Sequence, residues 1–204
     1  MKNGVDPSEI VKGAYDDIAR TYHERRDKLK SDELLAGFSS LLTPGGNVLD
    51  VGCGAGVPVA RFLVDAGFNV TGVDVSSNML KLASGHVPEV KLVKMDMRQL
   101  GFVAGCFDGI CAFYSLFHVP REEHLRVLFG FNRLLGQYGI LLFCSGRCEW
   151  EGVGDFYGAE MFWSHPDREA TRQMVIDAGF TVRMSEVQEH GGQVQYWVMA
   201  KKST

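Results

Sequence analysis

The sequence lacks the features of a secreted or membrane-spanning protein. None of its runs reaches the roughly 18 consecutive apolar residues that a transmembrane helix requires, and no apolar stretch follows the opening MKNGVDPSEI. We therefore expect neither a membrane span nor a signal peptide. Its five cysteines contain no C-x-x-C pair, and Cys111 and Cys144 sit in apolar runs. These observations predict a cytoplasmic protein without disulfides, structural zinc or other metals.

The sequence also lacks a basic excess. Lysine and arginine number 21 against 25 aspartates and glutamates, which gives a formal net charge of −4. Nucleic-acid-binding proteins usually carry a basic face, so we expect no nucleic-acid partner. No repeat or low-complexity linker divides the 204 residues, a length typical of one domain. The oligomeric state cannot be inferred from these features.

Strand-like and helix-like patterns alternate through most of the chain. Parallel strands are predicted at 47–51, 69–73, 90–94, 107–113 and 138–144. Helices are predicted at 8–29, 31–42, from the glycine turn to Ala66, at 77–83 and at 120–135. Alternation of this kind predicts a mostly parallel sheet covered on both faces. The runs 180–187 and 194–200 flank His190-Gly191-Gly192 and predict a final antiparallel hairpin.

The segment 145–166 interrupts this alternation. It contains five aromatic residues and shows no clear period. Loops this long are often lids over a site, so we predict a substrate cap at 145–167. The predicted layout is a helical cap at 1–42, a core at 43–144, this insert, and a final helix and hairpin at 168–204.

The stretch LDVGCGAGVP, residues 49–58, is typical of a turn that lies against a ligand, since glycine permits tight turns and close backbone approach. A Walker phosphate loop needs a lysine after the glycines, and none is present. A dinucleotide fingerprint needs a third glycine at the position of Val57. Asp74 ends the second strand and suits the ribose of NAD or of an adenosyl cofactor equally.

Two further acids favour an adenosyl cofactor. Asp50 precedes the glycines, where a carboxylate would repel a pyrophosphate but suits a cationic amino acid. Asp96 follows the third strand, where its carboxylate can accept from an adenine amino group while the Met97 backbone N–H donates to the ring. The antiparallel hairpin at the end is the third feature that favours this choice.

Together these motifs resemble the class I S-adenosylmethionine-dependent methyltransferases over nearly the whole chain. VLDVGCGAG (48–56) resembles the first motif of that family, GVDVSSNML (72–80) the second, KMDM (94–97) the third and FDGICAFYSLFHVP (107–120) the fourth. LLGQYGILLF (134–143) resembles its fifth strand, although GQYG replaces the usual Pro-Gly-Gly turn. YDDIARTY (15–22) is similar to the first helix of quinone-biosynthesis members.

The resemblance implies a Rossmann-like, doubly wound α/β fold with a mostly parallel seven-stranded sheet. An N-terminal helical cap and a long loop after strand five complete the expected architecture. It also implies S-adenosylmethionine as methyl donor, with S-adenosylhomocysteine as product, and methyl transfer to a small molecule. The residues that it implies around the donor are Tyr15, Tyr22, Asp50, Gly52, Gly54, Gly56, Asp74, Val75, Met79, Asp96, Met97, Phe113, Tyr114 and Ser115.

Candidate bases for the acceptor are His118, which follows the fourth strand, and His165, in the aromatic insert. A base is required only when the acceptor carries a proton at neutral pH. The alternative for each histidine is a purely structural role, in which its ring forms a hydrogen bond that braces the backbone. We place Tyr157, Glu160 and Trp163 of the insert beside the acceptor, which we expect to be apolar, planar or cationic.

Other functions are less well supported by the residues. Ala112–Ser115 is not the N-P-P-Y-like motif of a DNA amino-methyltransferase, and Glu122-Glu123 lie in a helical pattern, unlike the glutamate pair of arginine methyltransferases. A non-catalytic S-adenosylmethionine sensor or partner protein is the main alternative, and a nicotinamide oxidoreductase is a distant one. A sensor would not need an enclosed acceptor pocket beside the sulfonium.

Overall fold

A computed structural model describes residues 6–25, 32–190 and 192–203. Within these ranges the α-helices are α1 (Pro7–Arg25), α2 (Asp32–Ser39), α3 (Val59–Asp65), α4 (Ser77–His86), α5 (His124–Leu134) and α6 (Arg168–Asp177). The strands are β1 (Asn47–Val51), β2 (Asn69–Asp74), β3 (Lys91–Lys94), β4 (Phe107–Ala112), β5 (Leu135–Ser145), β6 (Trp150–Phe156), β7 (Ala159–His165), β8 (Phe180–His190) and β9 (Gln193–Lys202). In this part of the chain, no helix combines the length and apolarity needed to cross a bilayer.

Seven strands form one sheet in the order β3-β2-β1-β4-β5-β9-β8. The first five are parallel, and β9 runs antiparallel to both β5 and β8. This confirms the predicted Rossmann-like sheet with an antiparallel end. The strand order reverses between β1 and β4, where parallel α/β sheets open a crevice at their carboxyl ends.

The sheet is buried on both faces because successive side chains of a strand point in opposite directions. On β4, Ile110 and Ala112 face α5 and α6, whereas Cys111, and Phe113 just after the strand, face α2 and α3. Cys111 and Cys144 are fully buried, as expected for small apolar side chains. Both sheet faces are therefore occupied by helices, so the open carboxyl edge is left for a ligand.

Several element boundaries differ from the sequence prediction. Helix α4 continues beyond residue 83 to His86 and ends where Pro88 disfavours helix at Val87. A single 3₁₀ turn (Arg121–Glu123) separates Pro120 from α5. The predicted residues 26–29 of the first helix, the start of the second at Ser31, and Gly191 of the hairpin turn lie outside the described residues.

The largest difference lies in the insert, which is a β-hairpin rather than a loop. Strands β6 and β7 pair antiparallel from Trp150↔His165 to Phe156↔Ala159. Tyr157 and Gly158 connect them with φ values of +56° and +88°, the backbone that a tight two-residue hairpin turn requires. The strand pattern was hidden because β6 contains two glycines and two acidic residues, which are depleted in strands.

The hairpin and α1 cover the carboxyl edge of the sheet together. Met161 and Phe162 of β7 are buried against Val11, Ala14 and Ile18 of α1. Helix α1 also contacts α4, through Asp16 as described below. Helix α1 of the predicted helical cap and the predicted insert therefore form one covering layer above the sheet edge, whereas α2 packs on a face of the sheet.

Candidate active site

A cleft opens at the carboxyl ends of β1, β2 and β4, and we call it the strand-end cleft. Of the residues expected around the methyl donor, all but Asp50 and Gly56 line it. Those lining it are Tyr15, Tyr22, Gly52, Gly54, Asp74, Val75, Met79, Asp96, Met97, Phe113, Tyr114 and Ser115. Residues contributed by five separate segments therefore meet at one position, where the strand order reverses.

The glycine turn forms one wall of this cleft. Gly52, Gly54 and Gly56 all have positive φ values, of +72°, +53° and +79°. A Cβ on Gly52 would lie 2.3 Å from Ser115 Cβ, and one on Gly56 would lie 3.1 Å from Val87 Cγ2 of the loop after α4. A Cβ on Gly54 would meet nothing within 4 Å. Gly52 and Gly56 thus allow close packing, whereas Gly54 leaves open space along the cleft.

Asp74 holds the turn in place from the end of β2. Its Oδ2 accepts from the Gly54 N–H at 2.9 Å and its Oδ1 from the Ser76 N–H at 2.8 Å. Burial raises the pKa of this carboxyl above its usual value, although the backbone N–H bonds oppose the shift. Each carboxylate oxygen has a second acceptor site, so Asp74 can also accept from a pair of ligand hydroxyls.

The start of α4 provides part of the apolar lining of the cleft. Ser76 caps this helix by accepting from the Met79 N–H at 3.1 Å. The Ser76 hydroxyl also donates to Asp16 Oδ1 of α1 at 2.6 Å, and Asn78 donates its side-chain amide to the Asp16 backbone carbonyl. The cap thus ties α1 to the helix that presents Met79, whose side chain is fully buried beside the cleft.

Asp96 is engaged by an arginine that the sequence analysis did not identify. Arg98 donates through Nε and Nη2 to Asp96 Oδ2 at 2.9 and 2.7 Å. The same guanidinium reaches Asp6 and Ser8 at the start of α1, and Glu123 before α5. Hydrogen bonds to Asp96 and Asp6, mainly the bond to Asp96, raise the pKa of Arg98. Arg98 therefore joins the loop after β3 to the covering helix.

We expect Arg98→Met to lower the free energy of unfolding by about 2 kcal/mol, because it leaves Asp96 and Glu123 half-buried beside each other without their cation. Arg98→Lys should restore little, since an ammonium cannot reproduce the planar, two-pronged contact. Urea titration measures both. Arg61→Met is the matched control, since Arg61 pairs with carboxylates at the solvent-exposed surface and should matter little. Equal losses for both methionine variants would contradict the role given to Arg98.

The structure does not bring Asp50 and Gly56 into the strand-end cleft. Asp50 is buried behind the glycine turn, where the Cys111 thiol donates to its Oδ1 at 3.7 Å. It borders a different cavity, lined also by His23, Arg61 and His86. Burial, together with the charge of Asp50, raises the pKa of the Cys111 thiol well above its usual value, so this thiol is not a nucleophile at neutral pH.

A second cavity adjoins the cleft beneath the hairpin, and we call it the aromatic chamber. The described residues that line it are Tyr15, Tyr22, Tyr114, Phe117, His118, Phe156, Trp163, His165, Gln193 and Gln195. Four of these residues also line the strand-end cleft, namely Tyr15, Tyr22, Tyr114 and His118. The two cavities therefore meet at a collar of three tyrosines and one histidine.

His118 is the better placed of the two candidate bases. It is buried at the collar, with Nε2 2.9 Å from Tyr15 Oη and Nδ1 2.8 Å from the Phe162 carbonyl oxygen. Burial lowers the pKa of His118 to about 4, so the ring is neutral at pH 7. His165 lines only the chamber side, and its ring lies so close to Gly146 that a Cβ there would approach Cε1 to 2.0 Å.

The predicted acceptor residues fall in two places. Trp163 lines the aromatic chamber. Tyr157 and Glu160 lie at the tip of the hairpin and line a groove on its outer side against α1. Gln193 and Gln195 line the chamber from β9 although no motif pointed to them. The alternation of Gln193, Gln195 and Trp197 along one strand was the available signal.

Comparison with known proteins identifies the family. A model of the methyltransferase domain matches residues 48–139. The ubiquinone biosynthesis O-methyltransferase of Actinobacillus pleuropneumoniae is 37% identical over 162 residues, which cover 70% of this chain and 66% of that protein. This chain belongs to the class I S-adenosylmethionine-dependent methyltransferases.

Other methyltransferases match over more of the chain. The demethylmenaquinone methyltransferase of Renibacterium salmoninarum is 29% identical over 203 residues, covering 86% of this chain and 85% of that protein. The magnesium protoporphyrin IX methyltransferase of Synechocystis, solved with bound S-adenosylmethionine, has the same fold, with a TM-score of 0.75, 20% identity and full coverage of both chains. This chain spans about half the length of several other curated relatives that it matches.

Proposed function

We propose that this methyltransferase binds S-adenosylmethionine in the strand-end cleft and transfers its methyl group to a small molecule in the aromatic chamber. The observation that carries the proposal is the collar, because it is the one place where residues of both cavities meet within the described chain. A methyl group can pass directly between two ligands bound on either side of such an opening.

The cleft has the chemistry that an adenosyl compound needs. Asp74 offers a buried carboxylate to the ribose hydroxyls, and Val75, Met79 and Met97 offer apolar surface to adenine. Gly54 leaves room for the ligand against the backbone. When bound, S-adenosylmethionine supplies an electrophilic methyl group on a sulfonium that leaves as a neutral thioether.

The contribution of the protein is mainly orientation and exclusion of water. Aligning a nucleophile with the methyl group is worth roughly 7–11 kcal/mol of the barrier. Helix α1 and the hairpin cover the junction, and the rings of Tyr15, Tyr22 and Phe156 pack edge-on or tilted against one another there. These rings exclude water from the path of the methyl group.

The lining of the chamber favours a planar, uncharged acceptor. Among the described residues that line it, none is Asp, Glu, Lys or Arg. Aromatic rings favour flat ligands that pack against their faces and edges. The relatives act in the biosynthesis of ubiquinone and on demethylmenaquinone, as their names state, which supports a small-molecule acceptor here. A second cavity beside the cleft disfavours the alternative of a non-catalytic sensor, which needs no acceptor site.

A thermal-shift panel with S-adenosylmethionine, S-adenosylhomocysteine, NAD and ATP tests the proposal. Ligand at about 100 times Kd adds ~2.7 kcal/mol of stability, which is roughly 5–11 °C for a chain of this length. We expect that shift with the two adenosyl-sulfur compounds alone. A shift with NAD alone would replace methyl transfer with hydride transfer. No shift, in protein whose denatured extract also contains no nucleoside, would overturn the proposal.

A further inference from the structure

We propose that Tyr15 and His118 form a proton relay that takes the hydroxyl proton of the acceptor during methyl transfer. This inference rests on the function proposed above and adds the nature of the acceptor atom, an oxygen that carries a proton. It is carried by the directed hydrogen-bond chain from Tyr15 through His118 to the backbone of β7, which runs through the junction of the two cavities.

The direction of this chain follows from its last partner. The Phe162 carbonyl oxygen can only accept, so His118 Nδ1 carries the ring proton and donates it at 2.8 Å. In the neutral imidazole Nε2 is then an acceptor. The Tyr15 hydroxyl therefore donates to Nε2 at 2.9 Å. A phenolic oxygen that donates one hydrogen bond can still accept another, so Tyr15 can receive a bond from an acceptor hydroxyl.

Aromatic rings pack around the pair and hold it in place. The His118 ring packs edge-on against Phe117, with centroids 4.9 Å apart, and lies tilted near Trp163 at 6.0 Å. The Tyr15 ring packs edge-on against Tyr22 at 5.6 Å. Both members of the pair line both cavities, so they face the point where an acceptor in the chamber meets a methyl group in the cleft.

The chamber offers few other groups that could take a proton. The titratable side chains facing the pair are Tyr22 from α1, Tyr114 after β4 and His165 from β7. Two of these are phenols rather than imidazoles. His165 lines the chamber but not the cleft, so it lies away from the junction. Burial keeps His118 neutral at pH 7, in the form that can accept a proton.

The proton balance of the step defines the acceptor. As the acceptor oxygen forms its bond to the methyl carbon, the carbon–sulfur bond breaks and the sulfur keeps the electron pair. The O–H proton becomes strongly acidic as the C–O bond forms, so it passes to the Tyr15 oxygen while the Tyr15 proton moves to His118 Nε2. The products are a methyl ether, a neutral thioether and an imidazolium, which returns its proton to water. A neutral amine could attack without such a relay.

The test compares acceptors whose hydroxyl group still carries its proton with acceptors whose hydroxyl group is already ionised. The probes are a series of para-substituted phenols, from 4-methylphenol to 4-nitrophenol, which is ionised at mildly alkaline pH. Tyr15→Phe and His118→Gln are assayed for methyl ether by mass spectrometry, with the Kd of S-adenosylmethionine measured alongside. We expect kcat with 4-methylphenol to fall by about 10²–10⁴-fold in both variants. With 4-nitrophenol the loss should stay below about tenfold, because no proton is left to remove.

His124→Gln is the matched control. His124 is also a buried histidine whose pKa is lowered to about 4, but it bonds the Val119 carbonyl and lines neither cavity. The His124→Gln variant should be less stable than the wild type but should methylate 4-methylphenol and 4-nitrophenol at the wild-type rates. Equal losses on both phenols in Tyr15→Phe, which removes a single oxygen, would show that the pair only braces the cap and would overturn the relay.

The remaining outcomes separate this inference from the proposed function. A wild-type protein that binds S-adenosylmethionine but methylates no phenol of the series would overturn the hydroxyl acceptor and leave the proposed function standing. A protein that binds no adenosyl-sulfur compound would overturn the proposed function itself.

Discussion

Replacing Asp74 with alanine should weaken S-adenosylmethionine binding at least about a hundredfold. Hydrogen bonds to a charged group contribute roughly 1.5–3 kcal/mol each, and two ribose hydroxyls would lose theirs. The change also removes the acceptor of the Gly54 and Ser76 N–H groups. The glycine turn would then lose the contact that holds it against β2. Isothermal titration calorimetry at pH 7.5 measures the change in Kd.

The control for this prediction is Asp108→Ala. Asp108 is a half-buried strand carboxylate that likewise accepts a backbone N–H, from Asn47 at 2.7 Å, but it lies at the opposite end of the sheet from the cleft. The Asp108→Ala variant should have a lower melting temperature than the wild type and the same Kd for S-adenosylmethionine. An Asp74→Ala protein that is folded and binds S-adenosylmethionine as tightly as the wild type would show that the ribose lies elsewhere.

The position of the cleft could be predicted because its residues lie at strand ends. The glycine turn, Asp74 and Asp96 each follow a predicted strand directly, and parallel strands bring their carboxyl ends to the same edge. The doubly wound, mostly parallel seven-stranded sheet was implied by the resemblance, and the alternating pattern agreed with it. Local sequence chemistry and chain order were therefore enough to assemble most of this site.

The parts that could not be predicted depend on contacts between distant segments. The structural role of Arg98 depends on its hydrogen bonds to Asp6 and Glu123, which are far from it in the sequence. No local pattern marks such a residue, since an arginine after a strand is usually solvated. The insert forms a hairpin because β7 is buried on α1, a tertiary contact that outweighs the weak strand propensity of β6.

The hairpin also explains why two of the predicted acceptor residues, Tyr157 and Glu160, do not line the chamber. Treated as an irregular cap, the whole insert was expected to face the acceptor. In a hairpin, alternate side chains point to opposite sides. Trp163 therefore faces the chamber, whereas Glu160 and Tyr157 face the outer groove. We expect the acceptor to contact Phe117 and Gln195 instead, which line the chamber.

Mild acid should destabilise this protein steeply, because two of its histidines are buried in the neutral form. Burial lowers the pKa of His118 and of His124 to about 4, whereas an unfolded histidine titrates near 6.5. Between these values the two histidines make the unfolded chain bind about two more protons than the folded one, and His165, whose pKa burial also lowers, acts in the same sense. Stability is therefore lost as the pH falls, with a slope of about 2.4 kcal/mol per pH unit at pH 5.

From pH 7 to below pH 4, protonation of the two histidines lowers the free energy of unfolding by about 6 kcal/mol. This loss is comparable with the whole stability of many domains. Asp74 acts in the opposite sense, since burial raises the pKa of its carboxyl and the folded state takes up that proton first. Its contribution offsets part of the loss close to pH 4. Urea titrations at pH 7, 6 and 5 measure the dependence.

The variant His118→Gln separates the contribution of His118 to this pH dependence from the contributions of the carboxylates and of the other histidines. A glutamine offers an uncharged donor and an uncharged acceptor for the two partners of His118, the Phe162 carbonyl and the Tyr15 hydroxyl. The slope at pH 5 should therefore fall by about half, to roughly 1.2 kcal/mol per pH unit. An unchanged slope would mean that His118 titrates normally in the folded protein and is exposed to water. In that case the collar is not the dry junction on which both the methyl path and the proton relay depend.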